Sequence, residues 1–262
     1  MKIARIKIDG QQTVYALVED QGYRLIEGSP WEKWRATDSV IAASRAALLA
    51  PVQPPQIVAI GRNYREHAAE TLSDVPTAPL IFIKTINCVI GPGDAVVLPA
   101  MAPNEVDYEA ELAIVIGKEA KNVPEERAYD YILGFTCGID VSARDCQLRI
   151  DKQWARGKCF DTFLPLGPWI ATGLDGNRLA ISMTINGQTL QDSNTSQMIF
   201  PCRYLVSYVS RCMTLYPGSI IMTGTPGGVG MGRKPPRWLA QGDVMTVEIE
   251  GIGALTNPVR NE

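Results

Sequence analysis

Histidine is almost missing from this chain, with one residue, His67, among 262. That scarcity excludes zinc patterns built on two or more histidines, and none of the six cysteines stands in a C-x-x-C pair. Cys88, Cys137, Cys146, Cys159, Cys202 and Cys212 are therefore expected as free, reduced thiols. An excess of positive charge is missing too. The 25 Lys and Arg against 28 Asp and Glu leave a net charge of -3, which argues against a nucleic-acid partner bound by phosphate neutralisation. No apolar run reaches the ~18 residues that span a bilayer, so no membrane partner is expected. The opening MKIARIKIDG alternates like a strand and lacks the apolar stretch of a signal peptide, which leads to a cytoplasmic expectation. Walker and G-x-S-x-G signatures are absent.

What is present is a hydrophobic content of 46% in many short apolar runs separated by Gly, Pro and Asn turns. IVAIG, PLIFIK, AVVLP, ELAIVIG, YILGFTCGID, AISMTING, SIIMTG and VMTVEIEGIG have strand length, and helical stretches are few. Residues 1–50 form a small unit in which MKIARIKI and QTVYALVE make a hairpin at Asp9-Gly10. A helix is expected near Ser39 to Leu49, and PVQPPQ at 51–56 then breaks regular structure as a linker. Residues 51–262 form the larger unit, with helices expected at 63–71, 124–129 and about 198–213. The fold class is α+β and β-rich, the strands curling into a roll or sandwich.

Four segments carry chemistry. In EVDYEAELAIVIG, Glu109 and Glu111 are two apart, so on a strand they share one face at the mouth of an apolar run. Two adjacent carboxylates repel and need a proton, a basic partner or a metal ion. Asp140, closing the next apolar strand, adds a third oxygen donor, a set that suits Mg²⁺ or Mn²⁺. In GRNYREHAAE, Asn63 is placed to cap a short helix with Glu66, and His67 and Glu70 share a helical face at i and i+3. A carboxylate that orients an imidazole suits it to deprotonate water. Lys158, in a Gly-Lys turn of WARGKCFDTFLPLGPW, is placed to hold a carboxylate or an enolate. The glycine-dense MTGTPGGVG loop offers backbone amides and Thr225 to an anion or carboxylate. Each segment alone also fits a solvated edge, surface helix or plain turn.

Five blocks in order, GRNYREHAAE, PLIFIKTINCVIGPGD, VDYEAELAIVIGK, GIDVSARDCQ with RGKCFDTFLPLGPW, and MTGTPGGVG, resemble the fumarylacetoacetate hydrolase superfamily over roughly residues 56–260. Residues 1–50 resemble the small extra domain of some bacterial members. The resemblance implies a mixed β-sandwich roll, usually a homodimer. It implies Glu109, Glu111 and Asp140 as ligands of one Mg²⁺ or Mn²⁺, and His67 with Glu70 as a water-activating dyad on a lid helix. It also implies Lys158 beside the metal, and Arg144, Gln147 and Thr225 as substrate contacts. The implied reaction is hydrolysis of a C–C bond in an acylpyruvate, a small 2,4-dioxo acid, through a pyruvate enolate. The alternative is isomerisation of 2-hydroxyhepta-2,4-diene-1,7-dioate or decarboxylation of oxaloacetate by the same enolate chemistry.

Overall fold

Ala110–Ile116 is buried at every position, as expected of a Val/Ile-rich strand with neighbours on both edges. It pairs antiparallel with Ile132–Ile139 on one side and with Ile220–Met222 on the other. The computed structural model describes residues 1–71, 74–151 and 153–262, and among them this strand lies within a twelve-stranded mixed sheet. Beyond Ile220–Met222 the sheet continues in parallel to Ile57–Gly61 and then antiparallel to Leu80–Lys84. Beyond Ile132–Ile139 it continues through Leu164–Ala171 to the N-terminal strands.

The N-terminal strands join the same sheet rather than standing apart. Lys2–Ile8 pairs with Leu164–Ala171, and Gln12–Glu19, Gly22–Gly28 and Trp34–Ile41 follow as a meander. The Asp9-Gly10 hairpin is present as a three-residue connection between the paired Ile8 and Gln12, with φ of 47° at Asp9 and 73° at Gly10. The helix expected near Ser39 to Leu49 is not formed. That stretch ends one strand at Ile41, makes a short 3₁₀ turn at Ala43–Arg45 and enters a second strand, Ala46–Leu49. Its alanines favour a helix in isolation, but pairing with Lys2–Ile8 satisfies its backbone and overrides that propensity.

A second sheet, in the order Gln188–Asn194, Ala180–Ile185, Val244–Ile249, Gly253–Asn261 and Val96–Leu98, packs across the middle of the large one. The core lies between them, with Leu112, Ile114, Phe135, Leu166, Met183, Val247 and Leu255 inside. The fold is thus strand-rich α+β with mixed sheets. The helices are short: α1 (Arg65–Glu70), α2 (Trp154–Lys158) and α3 (Cys202–Cys212). Residues Glu125–Tyr131 are 3₁₀, not α-helical. All six cysteines are free thiols. No helix among the described residues is long and apolar enough to cross a membrane.

Candidate active site

Three carboxylates converge where the two central strands meet. Glu109 directly precedes Ala110–Ile116, Glu111 is its second residue, and Asp140 directly follows Ile132–Ile139. The antiparallel register brings Ala110 opposite Ile139, so both strand ends deliver their acids to one place. A ligand oxygen from each of Glu109, Glu111 and Asp140 lies within 4.8 Å of the others, and all three side chains are buried.

Partners offset much of the repulsion. Lys158, at the end of α2 rather than in an open turn, donates from Nζ to Glu109 Oε2 and to Asp140 Oδ2, each at 2.7 Å. Lys84 Nζ donates to Asp140 Oδ1 at 2.8 Å and also to the Lys158 carbonyl. Arg144 donates from Nη2 to Glu109 Oε1 at 2.7 Å, from Nε to Asp107 Oδ2 at 2.9 Å and from Nη1 to Gln147 Oε1 at 2.9 Å. Burial alone would raise the Glu109 pKa, but Lys158, Arg144 and His67 outweigh it and hold the group below the usual carboxylate range. Glu111 goes the other way. Burial first, then the charges of Asp140 and Glu109, raise it well above that range despite a hydrogen bond from the Gly224 amide. Burial works against the charges of Lys158 and Arg144, yet their acidic neighbours keep both pKa values raised.

This donor set fits a hard divalent cation. Three carboxylate oxygens are the ligands Mg²⁺ and Mn²⁺ prefer, and Glu111, unlike Glu109 and Asp140, has no ion-pair partner among the described residues to settle it as an anion. The Tyr64 hydroxyl is buried without a hydrogen-bond partner among the described residues, and burial and then the Glu111 charge raise its pKa. A polar group or hydrated ion beside Glu111 would serve both residues.

Facing the acids is α1. His67 Nδ1 and Glu70 Oε1 are 2.8 Å apart, an i, i+3 pair on one face. With Nδ1–H donating to the carboxylate, Nε2 is the nitrogen left for a reaction. Glu70 also accepts from the Gly228 amide through Oε2 at 2.8 Å, which fixes the carboxylate from the far side. Gly228 needs to be glycine, since φ is 101° and a Cβ would lie 2.2 Å from the Leu190 carbonyl oxygen. The capping role expected of Asn63 is not seen. Tyr64 is the N-cap without a side-chain bond, and Asn63 is buried, donating to the Phe200 and Thr223 carbonyls and accepting from the Phe200 amide. It moors the approach to α1 rather than starting the helix.

The glycine-dense loop does meet carboxylates, and those in contact are the protein's own. Its amides donate from Gly224 to Glu111, from Gly228 to Glu70, and from Gly230 and Met231 to Asp107. Thr225 Oγ1 accepts from Gln191 Nε2 at 2.8 Å, and Gln191 is tied in turn to the amide of Ala110. A cavity of about 190 Å³ gathers His67, Glu109, Glu111, Arg144, Gln147, Lys158 and Thr225 on one wall system with Arg62, Phe82 and Trp154. Its size suits a small organic acid. Asp140 lies beneath this surface and Glu70 behind His67. Asp107, Lys84 and Gln191 were not singled out from sequence. Asp107 sits inside the quoted EVDYEAE stretch, where a third acid two residues before Glu109 was the available signal.

Comparison with known proteins agrees with this architecture. Residues 56–260 match the model of the fumarylacetoacetate hydrolase C-terminal domain, and residues 1–51 match an Rv2993c-like N-terminal model. A Xenopus laevis protein named oxaloacetate tautomerase fahd2, mitochondrial, is 46% identical over 225 residues, 84% of this chain and 70% of that protein. The crystal structure of 5-carboxymethyl-2-hydroxymuconate delta-isomerase from Mycobacterium smegmatis is 41% identical, with a TM-score of 0.90 over 100% of both chains. That of 2-hydroxyhepta-2,4-diene-1,7-dioate isomerase from Mycobacterium marinum is 39% identical, with a TM-score of 0.88 over 100% of this chain and 99% of the other.

Proposed function

Because the chain belongs to the fumarylacetoacetate hydrolase family, we propose that it is a metal-assisted enzyme that interconverts the enol and keto forms of a small 2-oxo acid. The observation that carries this reading is one cavity lined by Glu109, Glu111, a buried Lys158 and His67, with Asp140 converging on the two glutamates beneath its wall and Glu70 orienting the imidazole from behind. The names of similar proteins, a tautomerase and two isomerases, support it.

Glu109, Glu111 and Asp140 would hold one Mg²⁺ or Mn²⁺, which when bound supplies positive charge that polarises a keto oxygen. The remaining roles belong to the chain itself. Gln147 Oε1 is taken by Arg144, so its amide NH₂ is the group left for a substrate carboxylate. Arg144 is committed to Asp107, Glu109 and Gln147, and acts by positioning the acids and Gln147. His67 Nε2 takes a proton from the carbon beside the keto group or returns it there, water supplying or taking up the matching proton at the enol oxygen, while Glu70 holds the ring. The Lys158 ammonium stands beside the acids as a counter-charge for the enolate oxygen. Thr225 lines the cavity and completes the contact with substrate.

A second reading keeps the same residues. His67 held by Glu70 is equally arranged to deprotonate a water, whose attack on an acylpyruvate would release pyruvate and a carboxylic acid. The test uses purified protein with Mg²⁺, Mn²⁺ or EDTA. Metal-dependent acceleration of the decay of enol-oxaloacetate, without loss of CO₂, supports the tautomerase. Metal-dependent release of pyruvate and acetate from acetylpyruvate supports the hydrolase, and CO₂ release from oxaloacetate a decarboxylase. Inertness toward every 2-oxo acid offered would sink the enzymatic proposal.

A further inference from the structure

Arg62 is a cation on the cavity wall that, among the described residues, has no acid of its own. Arg144 and Lys158, which line the same cavity, spend their donors on Asp107, Glu109, Asp140 and Gln147. The Arg62 guanidinium makes no ion pair or hydrogen bond among the described residues. Its side-chain contact is with the face of Trp154, 6.0 Å from the ring centroid.

That contact is built from a constrained backbone. Arg62 joins the strand Ile57–Gly61 to the segment leading into α1, and its φ is 56°, a conformation uncommon for a residue with a side chain. Trp154 is itself fixed, edge-on to Phe82 with ring centroids 5.3 Å apart. It is pressed so closely to the strand end that a Cβ on Gly61 would come within 2.8 Å of its ring. A flat, weakly hydrated cation held against a ring at a cavity wall keeps its donor edge for a carboxylate.

We infer that Arg62 binds the distal carboxylate of the substrate, so that the site selects dicarboxylic 2-oxo acids over monocarboxylic ones. This assignment rests on the 2-oxo acid reading above. The acid cluster and Gln147 take the end of the substrate bearing the keto group and its neighbouring carboxylate. Arg62 takes the other end, and Trp154 with Phe82 forms the apolar wall between. The device is one of discrimination: a monocarboxylic acid would leave the guanidinium unpaired but would still reach the reacting groups.

The test compares full-length wild type, Arg62→Met and Arg62→Lys in Mg²⁺ by titration calorimetry, with oxaloacetate and pyruvate as ligands, and by the KM and kcat for oxaloacetate. Arg62→Met is expected to weaken oxaloacetate binding by about tenfold or more while leaving pyruvate binding unchanged. The kinetic loss should fall on KM, and Arg62→Lys should restore part of it. Equal weakening of both ligands would make Arg62 a structural support and overturn the assignment, as would no change in either. If wild type binds neither ligand in Mg²⁺, the 2-oxo acid reading itself fails and the assignment falls with it. A thermal melt of each variant identifies a folding defect, and Arg62→Lys then decides.

Discussion

The N-terminal meander and the acid cluster share one sheet, yet they use charge in opposite ways. In the meander, Arg24 pairs with Glu19, Arg35 with Glu27 and Arg45 with Asp9, all substantially open to solvent. In the cluster, Lys84, Arg144 and Lys158 pair with Asp107, Glu109 and Asp140, all buried. Exposed pairs add little to stability, because water and salt screen them. Buried charges cost desolvation that a hydrophobic residue would not incur. A fold that keeps four carboxylates and three cations in its interior has given up stability for something those charges do. Substitutions should therefore separate the two regions sharply.

The largest effect on stability is expected at Lys158. Lys158→Met removes the ammonium that bridges Glu109 and Asp140 and leaves buried carboxylates facing one another. Removing one partner of a buried pair costs about 3–5 kcal/mol. The loss should appear in urea unfolding followed by circular dichroism. Added Mg²⁺ should recover part of it, since an ion that binds only the folded state stabilises that state. A variant as stable as wild type would mean that the cluster is no more dependent on its charges than the surface is.

Glu111→Gln should act in the opposite direction. Burial, Asp140 and Glu109 all disfavour the Glu111 anion, so a neutral isostere relieves repulsion in the metal-free protein. Without metal the variant should be more stable than wild type. Its Mg²⁺ or Mn²⁺ affinity, measured by calorimetry, should fall at least tenfold, because one anionic ligand is lost. A destabilised metal-free variant would mean that the Glu111 anion is not repelled in the cluster, and unchanged metal affinity would remove Glu111 from the ligand set.

These charges were only partly legible in the sequence. The apolar ELAIVIG run announced a buried strand, and the two-residue spacing of Glu109 and Glu111 announced a shared face. Asp140 could be added because it also ended an apolar run, and antiparallel pairing brings the two strand ends together. What neutralises them was harder to see. Lys84 and Arg144 reach the acids across sequence separations of 56 and 35 residues, which local pattern does not report. The glycine loop was legible as a carboxylate cradle, but the carboxylates it meets could be named only from the fold. Asn63 and the Ser39–Leu49 segment misled for a related reason. Each has a strong local preference, for a cap and for a helix, and each is claimed instead by a distant partner.

His67→Ala separates chemistry from stability within the same cavity. The imidazole makes its side-chain bond to Glu70, which keeps the Gly228 amide as a second partner when the ring is removed. Turnover should fall by roughly 10²–10⁴-fold, the range for losing a general acid–base group. The melting temperature and metal affinity should stay close to those of wild type. A variant that retains most of its kcat would take His67 out of the mechanism, and one that loses metal affinity would extend the cluster to include it.

The smallest effect belongs to Arg45. It donates from Nη2 to Asp9 Oδ2 at 2.5 Å and from Nε to Asp9 Oδ1 at 3.2 Å, a two-point contact whose shorter leg is within the reach of the buried ion pairs. Geometry alone would rank it with Lys158. Exposure ranks it far below, with the side chains 59% and 50% open to solvent. The hydrogen bond from Arg45 lowers the Asp9 pKa, so any stabilisation is present above the unfolded-state value and is lost as pH falls through the folded one. Arg45→Ala removes that lowering. Solvent screening makes the contribution small, so its urea midpoint at neutral pH should superimpose on that of wild type, and added salt should not separate the two. A clear drop in the midpoint that high salt abolishes would show that this hairpin pair holds the meander together. The contrast between a region that displays its charges and a region that depends on them would then fail at a pair half or more of whose side-chain surface is in solvent.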